Sequence, residues 1–247
     1  AVVVFSKDIN DDAHRRDFTM NALYADSVGR VVDPLSGLGD LRARRIRFVD
    51  DATLRIKEDY LRTLRFFRFH AWYGDPDAGM DAEAMAAIAE NLGGLEGLSK
   101  ERVGAEIKKL LAAPDPAPSV GAMAQTCVLS RILPGADMTY LAPLVHIENG
   151  QKPDAMRRLA VLGGDDPAAR FRLSRDEKKQ LQILSTEIGN PKTVQELAYR
   201  HGADMARDIE MLRAAVFERA LPDSLAKDLD LGASAVFPVT AADLMPD

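Results

Sequence analysis

Residues 58–69 read EDYLRTLRFFRF. Asp59, Arg62, Arg65 and Arg68 recur at every third position. On a helix that spacing makes a ridge winding slowly about the axis. A carboxylate next to a guanidinium offers one acceptor beside a forked donor. Cytosine and adenine each present an amino donor beside a ring-nitrogen acceptor on their Watson–Crick edge. Asp59 could accept from the amino group while Arg62 donates to the ring nitrogen. Uracil and guanine reverse the pattern and leave buried groups unpaired, which a polar site rejects strongly. Arg65 and Arg68, further along, are then placed to meet phosphates. The ridge reads as a nucleotide template.

Ion pairing is the competing account. Glu58 and Arg62 stand at i and i+4, Asp59 and Arg62 at i and i+3, and such pairs support a helix by a few tenths of a kcal/mol. Two features weigh against it. Four basic groups from Lys57 to Arg68 face two acids, which leaves positive charge over. Phe66 and Phe69 also interleave with the arginines, which suits a crevice better than open water. If residues 58–71 form one helix, Tyr60, Leu61, Leu64, Phe67 and Ala71 share its core face.

The chain around this ridge has 247 residues and a formal net charge of −6. Its basic groups are concentrated. Residues 42–68 hold nine Lys or Arg against four acids, and a second basic stretch runs from Arg157 to Lys179. Local fields of this kind suit a polyanion such as RNA or a triphosphate. The lone cysteine, Cys127, excludes an internal disulfide framework and fits a reducing cytosol. No apolar run approaches a bilayer's thickness, and no basic-then-apolar leader opens the sequence, so no membrane partner and a cytoplasmic location are expected.

The elements that must hold the ridge are mainly helical. Before residue 50 the pattern mixes short strands and turns: AVVVF at the start, a hairpin and a Pro/Gly turn within SVGRVVDPLSGLGDL, and RIRFV at 45–49. After it the helical period dominates. Helices are predicted from Asp81 to Leu92, stopped by Gly93 and Gly94, and from Ser99, a capping residue, through Leu111. PDPAPS at 114–119 is a break. Further helices are predicted at about 117–132, 153–162, 174–188, 193–201 and 203–219. VFPVTAADLMPD ends on what reads as a fresh helix start, so a segment of a longer protein, lacking its first strands, is expected.

Four motifs in order carry a resemblance. RRDFTMNAL (15–23), DPLSGLGDLRARRIRFV (33–49), EDYLRTLRFFRF (58–69) and LSKERVGAEIKKLL (98–111) resemble those of the class II nucleotidyltransferases, the bacterial tRNA CCA-adding enzymes and related poly(A) polymerases. The resemblance covers roughly residues 1–115. It implies a mainly α chain: the C-terminal remnant of an α/β nucleotidyltransferase head domain (1–50), a helical neck with the nucleotide-reading helix (51–115), and an RNA-binding helical body (116–247). It implies that Arg16 contacts the incoming nucleotide with Asp17 beside it near the ribose. Asp59 and Arg62 would read the base, and Arg65 and Arg68 would hold the triphosphate side. Asp33 and Gly37 fall in the element that lets head and neck shift between CTP and ATP addition, and the fourth motif braces the neck.

The implied activity is addition of CCA to tRNA 3′ ends from CTP and ATP. Poly(A) tailing of RNA 3′ ends is the alternative within the family, and a non-catalytic helical RNA-binding protein the alternative outside it. The family's chemistry uses Mg2+ held by an Asp-x-Asp pair after a Gly-rich turn. No such motif occurs here. DPD at 75–77 and DLD at 228–230 lack the preceding turn, and His70 and His146 match no metal pattern. The expectation is therefore no catalytic or metal-ligating residue within this chain, magnesium ligands upstream of residue 1, and a chain that binds CTP or ATP yet adds no nucleotides alone.

Overall fold

The computed structural model describes residues 8–236. The strand expected at 2–5 and the helix start expected near the C-terminus lie outside them. Among the described residues the chain is mainly α, with one two-stranded antiparallel sheet. The N-terminal part comprises α1 (Ile9–Ala13), β1 (Tyr24–Ala25) paired with β2 (Val31–Val32), and α2 (Gly37–Arg42). The expected hairpin is thus present, turning at 26–30. RIRFV does not form a strand. Phe48 makes a single bridge to Phe18, and Val49 N donates to Asp17 O at 3.0 Å. That bridge ties the Arg15–Asp17 segment to the chain leading into the next helices.

Those helices are α3 (Ala52–Glu58) and α4 (Leu61–Tyr73). The single helix expected over 58–71 is broken at Asp59, whose backbone is extended (φ −154°, ψ 104°). The cause is local. Asp59 Oδ1 accepts from Leu61 N at 3.1 Å, so the carboxylate starts a new helix rather than continuing the old one. The aromatics beside the ridge are also core. Phe66 stacks on Phe48 with centroids 5.6 Å apart, and Phe69 lies 4.9 Å from Phe18. Phe67 and Leu64 are fully buried on the other side. α4 is therefore buried on two flanks, and the arginine strip is the part left over.

The remaining elements are α5 (Ala82–Glu90), a 3-10 turn at Leu92–Gly97, α6 (Lys100–Leu111), α7 (Ala117–Gln125) and α8 (Val128–Ile132). The body continues with α9 (Leu141–Glu148), α10 (Ala155–Leu162), α11 (Pro167–Arg170), α12 (Arg175–Glu187), α13 (Val194–His201), α14 (Ala203–Val216) and α15 (Leu225–Ala233). Ser99 caps α6 as expected, accepting from Arg102 N. The helix expected over 117–132 is split at Cys127, which sits at φ 61°. Thr126 Oγ1 donates to the carbonyls of Ala122 and Met123, and so helps to end the first segment. α9, α11 and α15 were not expected. α4 packs on α6 and α7, and α10 and α11 pack on α6.

Candidate functional site

Asp17 is the anchor of the site. It is 5% exposed. Its Oδ1 accepts from Phe18 N (3.0 Å) and Asn21 Nδ2 (2.9 Å). Its Oδ2 accepts from Arg65 Nε at 2.6 Å and meets Arg65 Nη2 at 2.5 Å. A buried carboxylate with four donors is satisfied, and it fixes the Arg65 guanidinium by both teeth of its fork. Arg16 is held differently. It pairs with Asp12 (2.8 Å) one helical turn back, and its guanidinium lies 5.7 Å from the Tyr24 ring centroid. Hydrogen bonds from Tyr24 and then Arg16 pull the Asp12 pKa below its ordinary value.

The break at Asp59 opens the start of α4 toward this anchor. Arg62 donates to Glu58 Oε2 (2.6 Å), to Arg55 O (3.0 Å) and to Arg15 O (3.0 Å). Asp59 does not pair with Arg62 as helical spacing suggested. Its Oδ2 instead accepts from Arg102 Nη2 at 2.6 Å. A cleft of about 280 Å³ results, lined by Arg15, Arg16, Asp17, Asn21, Asp59, Leu61, Arg62, Arg65 and Arg102. Five arginines and two aspartates face it, so it is a positive cleft with one half-exposed carboxylate. That carboxylate has taken one donor on each oxygen and retains lone pairs for another. Arg62 likewise keeps N–H groups beyond the three in use.

Of the six residues singled out from the sequence, Arg16, Asp17, Asp59, Arg62 and Arg65 share this cleft. Arg68 does not line it. It turns toward α6, where Nε donates to Glu106 at 2.6 Å, and it stacks 4.6 Å from the Phe69 ring centroid. The reason lies in α6. Arg102 and Glu106 stand one turn apart on one face and meet Asp59 and Arg68 in register. Arg102 was missed from the sequence. The signal was available in that i, i+4 pair of opposite charge, aligned with a ridge of opposite polarity.

Asp33 caps α2, accepting from Gly37 N (2.7 Å) and Leu38 N (3.0 Å). A Cβ at Gly37 would stand 2.1 Å from Thr19 O, so glycine is required for α2 to approach the motif beside Asp17. Below it, Asp40 is buried against ionisation, but Thr19, Arg45 and Arg47 outweigh that cost and hold its pKa low. His70 is buried against Ser119 Oγ (2.9 Å), where burial first and Arg44 second depress its pKa.

The second basic stretch is corrected only at its start, since Arg172, Arg175, Lys178 and Lys179 are exposed. Arg157 and Arg158 are 3% and 1% exposed. Both bind Glu148, at 2.7 and 2.6 Å, and Arg157 also binds Asp208 at 2.6 Å. Arg158 further donates to the carbonyls of Leu111, Ala113 and Pro114, closing the end of α6. Arg158 thus ties body to neck, Arg157 is held within the body by Glu148, Asp208 and the Lys152 carbonyl, and neither is exposed to meet RNA. Among the described residues no group of three or more His, Cys, Asp or Glu could hold a metal ion, and no helix is long and apolar enough to cross a membrane.

Comparisons with known proteins match two parts of the chain. The family description "Poly A polymerase head domain" matches residues 1–47, and "Probable RNA and SrmB-binding site of polymerase A" matches 79–139. The chain is 45% identical over 111 residues to the human protein named CCA tRNA nucleotidyltransferase 1, mitochondrial, covering 45% of this chain and 26% of that one. It is 32% identical over 246 residues to the CCA-adding enzyme of Streptococcus pyogenes serotype M5, covering 92% of this chain and 58% of the relative. Its fold matches the CCA-adding enzyme of Bacillus stearothermophilus, a structure in complex with CTP. The TM-score is 0.77 at 24% identity, over 98% of this chain and 65% of that one. The chain thus spans less than two thirds of the length of these relatives.

Proposed function

The chain belongs to the class II nucleotidyltransferase family, and from that premise we propose that its cleft selects CTP and ATP for CCA addition to tRNA 3′ ends. One observation carries the reading: Asp59 and Arg62 open into the same cleft as Arg16 and Arg65. In this reading Asp59 accepts from the exocyclic amino group of cytosine or adenine, and Arg62 donates to the adjacent ring nitrogen. Arg16 and Arg65 meet the phosphates. Asp17 acts through Arg65, because its own oxygens are fully engaged, and Arg102 acts through Asp59. Arg68 braces α4 against α6 rather than touching the nucleotide. Leaving a buried polar group unpaired costs about 1–3 kcal/mol, which sets the expected discrimination against UTP and GTP.

Members of this family generally depend on magnesium. The described residues do not offer a carboxylate cluster that fits it, and the roles above are confined to binding and orientation. The three units expected at 1–50, 51–115 and 116–247 stand as proposed divisions into head, neck and body. Asp33 and Gly37 stand as part of the element between the first two. A cytoplasmic location is proposed from the single free cysteine. A mitochondrial one is the alternative, from the name of the human relative, and cell fractionation separates them.

Calorimetry of this chain with the four nucleoside triphosphates tests the reading. CTP and ATP should bind at least about tenfold more tightly than UTP and GTP, the size of one lost polar contact. Equal binding of all four would remove the template role. Poly(A) tailing is the second reading, favoured by the polymerase description that matches residues 1–47. It requires ATP binding without comparable CTP binding.

A further inference from the structure

We infer that the RNA strand leaving the nucleotide cleft crosses the first turn of α6 and runs in a groove formed by Lys100, Arg131 and Arg170. The groove measures about 250 Å³, and its floor is Leu95, Leu98, Val103 and Ile132. Three cations face one acid, Glu96, in a chain whose overall charge is −6. An acidic protein that binds a polyanion must gather its positive charge on one track, and this groove continues such a track. Lys100 and Arg102 are two residues apart on α6, which turns their side chains about 200° from each other. Arg102 faces the nucleotide cleft and Lys100 faces the groove. One helical turn therefore separates the place where a base is read from a basic channel leading away.

The cations in the groove are free to exchange partners. Lys100 is exposed, and no partner for it is seen among the described residues. Arg131 pairs with Glu96 at 2.9 Å, but their side chains are 51% and 66% exposed, a bond that holds little energy in water. Arg170 uses Nε on Asp165 O at 2.8 Å, leaving its terminal nitrogens. The apolar floor suits the sugar face of a strand and the alkyl stems of the cations. Every lining residue except Arg170 falls within 79–139, the segment whose matched family is described as probably RNA-binding. Arg131, Ile132 and Arg170 belong to the body, so the groove spans neck and body, and Arg170 is a member of the basic stretch from Arg157 to Lys179 whose first two arginines are buried.

This inference rests on the reading of the cleft for the strand's direction, and its test is separate. Anisotropy of a labelled tRNA lacking its terminal CCA would be followed with the chain across about 50–200 mM salt. Replacing Lys100, Arg131 and Arg170 together by Ser should weaken binding at least tenfold at the low end. It should also lower the slope of log K against log salt by about 2–3. Serine at Arg200, Arg207 and Lys227, on α13, α14 and α15, should leave both nearly unchanged. The single reversal Lys100→Glu, at an exposed site, repeats the test with little risk to folding. An unchanged slope in the triple variant, or an equal loss in the α13–α15 control, would overturn the groove. CTP selectivity in the same triple variant should be intact. Its loss there would count against separate sites, whereas loss of selectivity in the parent chain would sink the cleft reading alone.

Discussion

Asp59 and Arg102 meet at 2.6 Å across the mouth of the cleft, one at the break before α4 and the other in the first turn of α6. The pair is partly exposed, so its contribution to stability is small. Its consequence is geometric. With Leu61 N on one oxygen and Arg102 on the other, the Asp59 carboxylate has one fixed plane. Arg102→Ala should therefore leave unfolding within about 0.5 kcal/mol of the parent while narrowing the CTP-over-UTP preference about three- to tenfold, on the order of 1 kcal/mol. Asp59→Ala should abolish the preference. Arg102→Lys keeps the charge but loses the forked geometry, and should fall between. Calorimetric affinities for CTP and UTP decide this, and an Arg102→Ala chain with full selectivity would deny Arg102 a positioning role.

Arg62 and Arg65 are three residues apart and should fail differently. Arg62 pairs with Glu58, whose side chain is 46% exposed, so Arg62→Met frees a carboxylate that water can take up. Arg65 neutralises Asp17, which is 5% exposed, so Arg65→Met strands a charge that water cannot reach. Asp17 keeps two other donors, so the cost should be on the order of 1–3 kcal/mol. Both variants should weaken CTP binding. Urea unfolding should show a larger loss for Arg65→Met than for Arg62→Met, whose loss is limited to its bonds to the Arg55 and Arg15 carbonyls. Equal midpoints would contradict the anchoring of Arg65 by Asp17.

How far these residues were legible in the sequence depends on the range of the force that places them. The period of the neck and body helices and the Ser99 cap are local, and they were readable. The break at Asp59 was also local, yet a hydrophobic face running through 58–71 outweighed the capping preference of a single aspartate. Arg68 and Arg102 were misread or missed because their partners, Glu106 and Asp59, lie 38 and 43 residues away. Arg157 and Arg158 looked like a surface charge run. Nothing in their neighbourhood announces Glu148 and Asp208, which compensate them in the interior.

That interior cluster gives a sharp expectation. Glu148 is 2% exposed and binds both arginines, and Arg158 also takes the carbonyls at the end of α6. Arg158→Met removes one cation and leaves those carbonyls without a donor. A loss of about 3–5 kcal/mol is expected, as for a buried pair broken on one side. Any RNA binding by the folded fraction should keep its parental salt slope, because Arg158 never reaches a phosphate. A stable Arg158→Met chain with a reduced slope would return this residue to the RNA-binding surface.

The last expectation concerns acid. Glu187 ends α12, and its carboxylate is 8% exposed. Burial opposes its ionisation, but Lys192 (2.6 Å), Asn190 (2.9 Å) and His201 (3.3 Å) outweigh burial and bring its pKa from 4.5 to about 2. A folded-state pKa below the unfolded one stabilises the chain above the unfolded value. That stability is lost as pH falls from about 4.5 toward 2. Full expression of the shift would be worth about 3 kcal/mol. Lys192 is 26% exposed, so solvent screening reduces the expected figure to the order of 1–3 kcal/mol. Glu187→Gln removes the titration. The parent should lose stability more steeply than the variant between about pH 4.5 and 2, and their difference at neutral pH should shrink toward zero in acid. Parallel urea midpoints for the two chains across that window would show that Glu187 is not the group responsible.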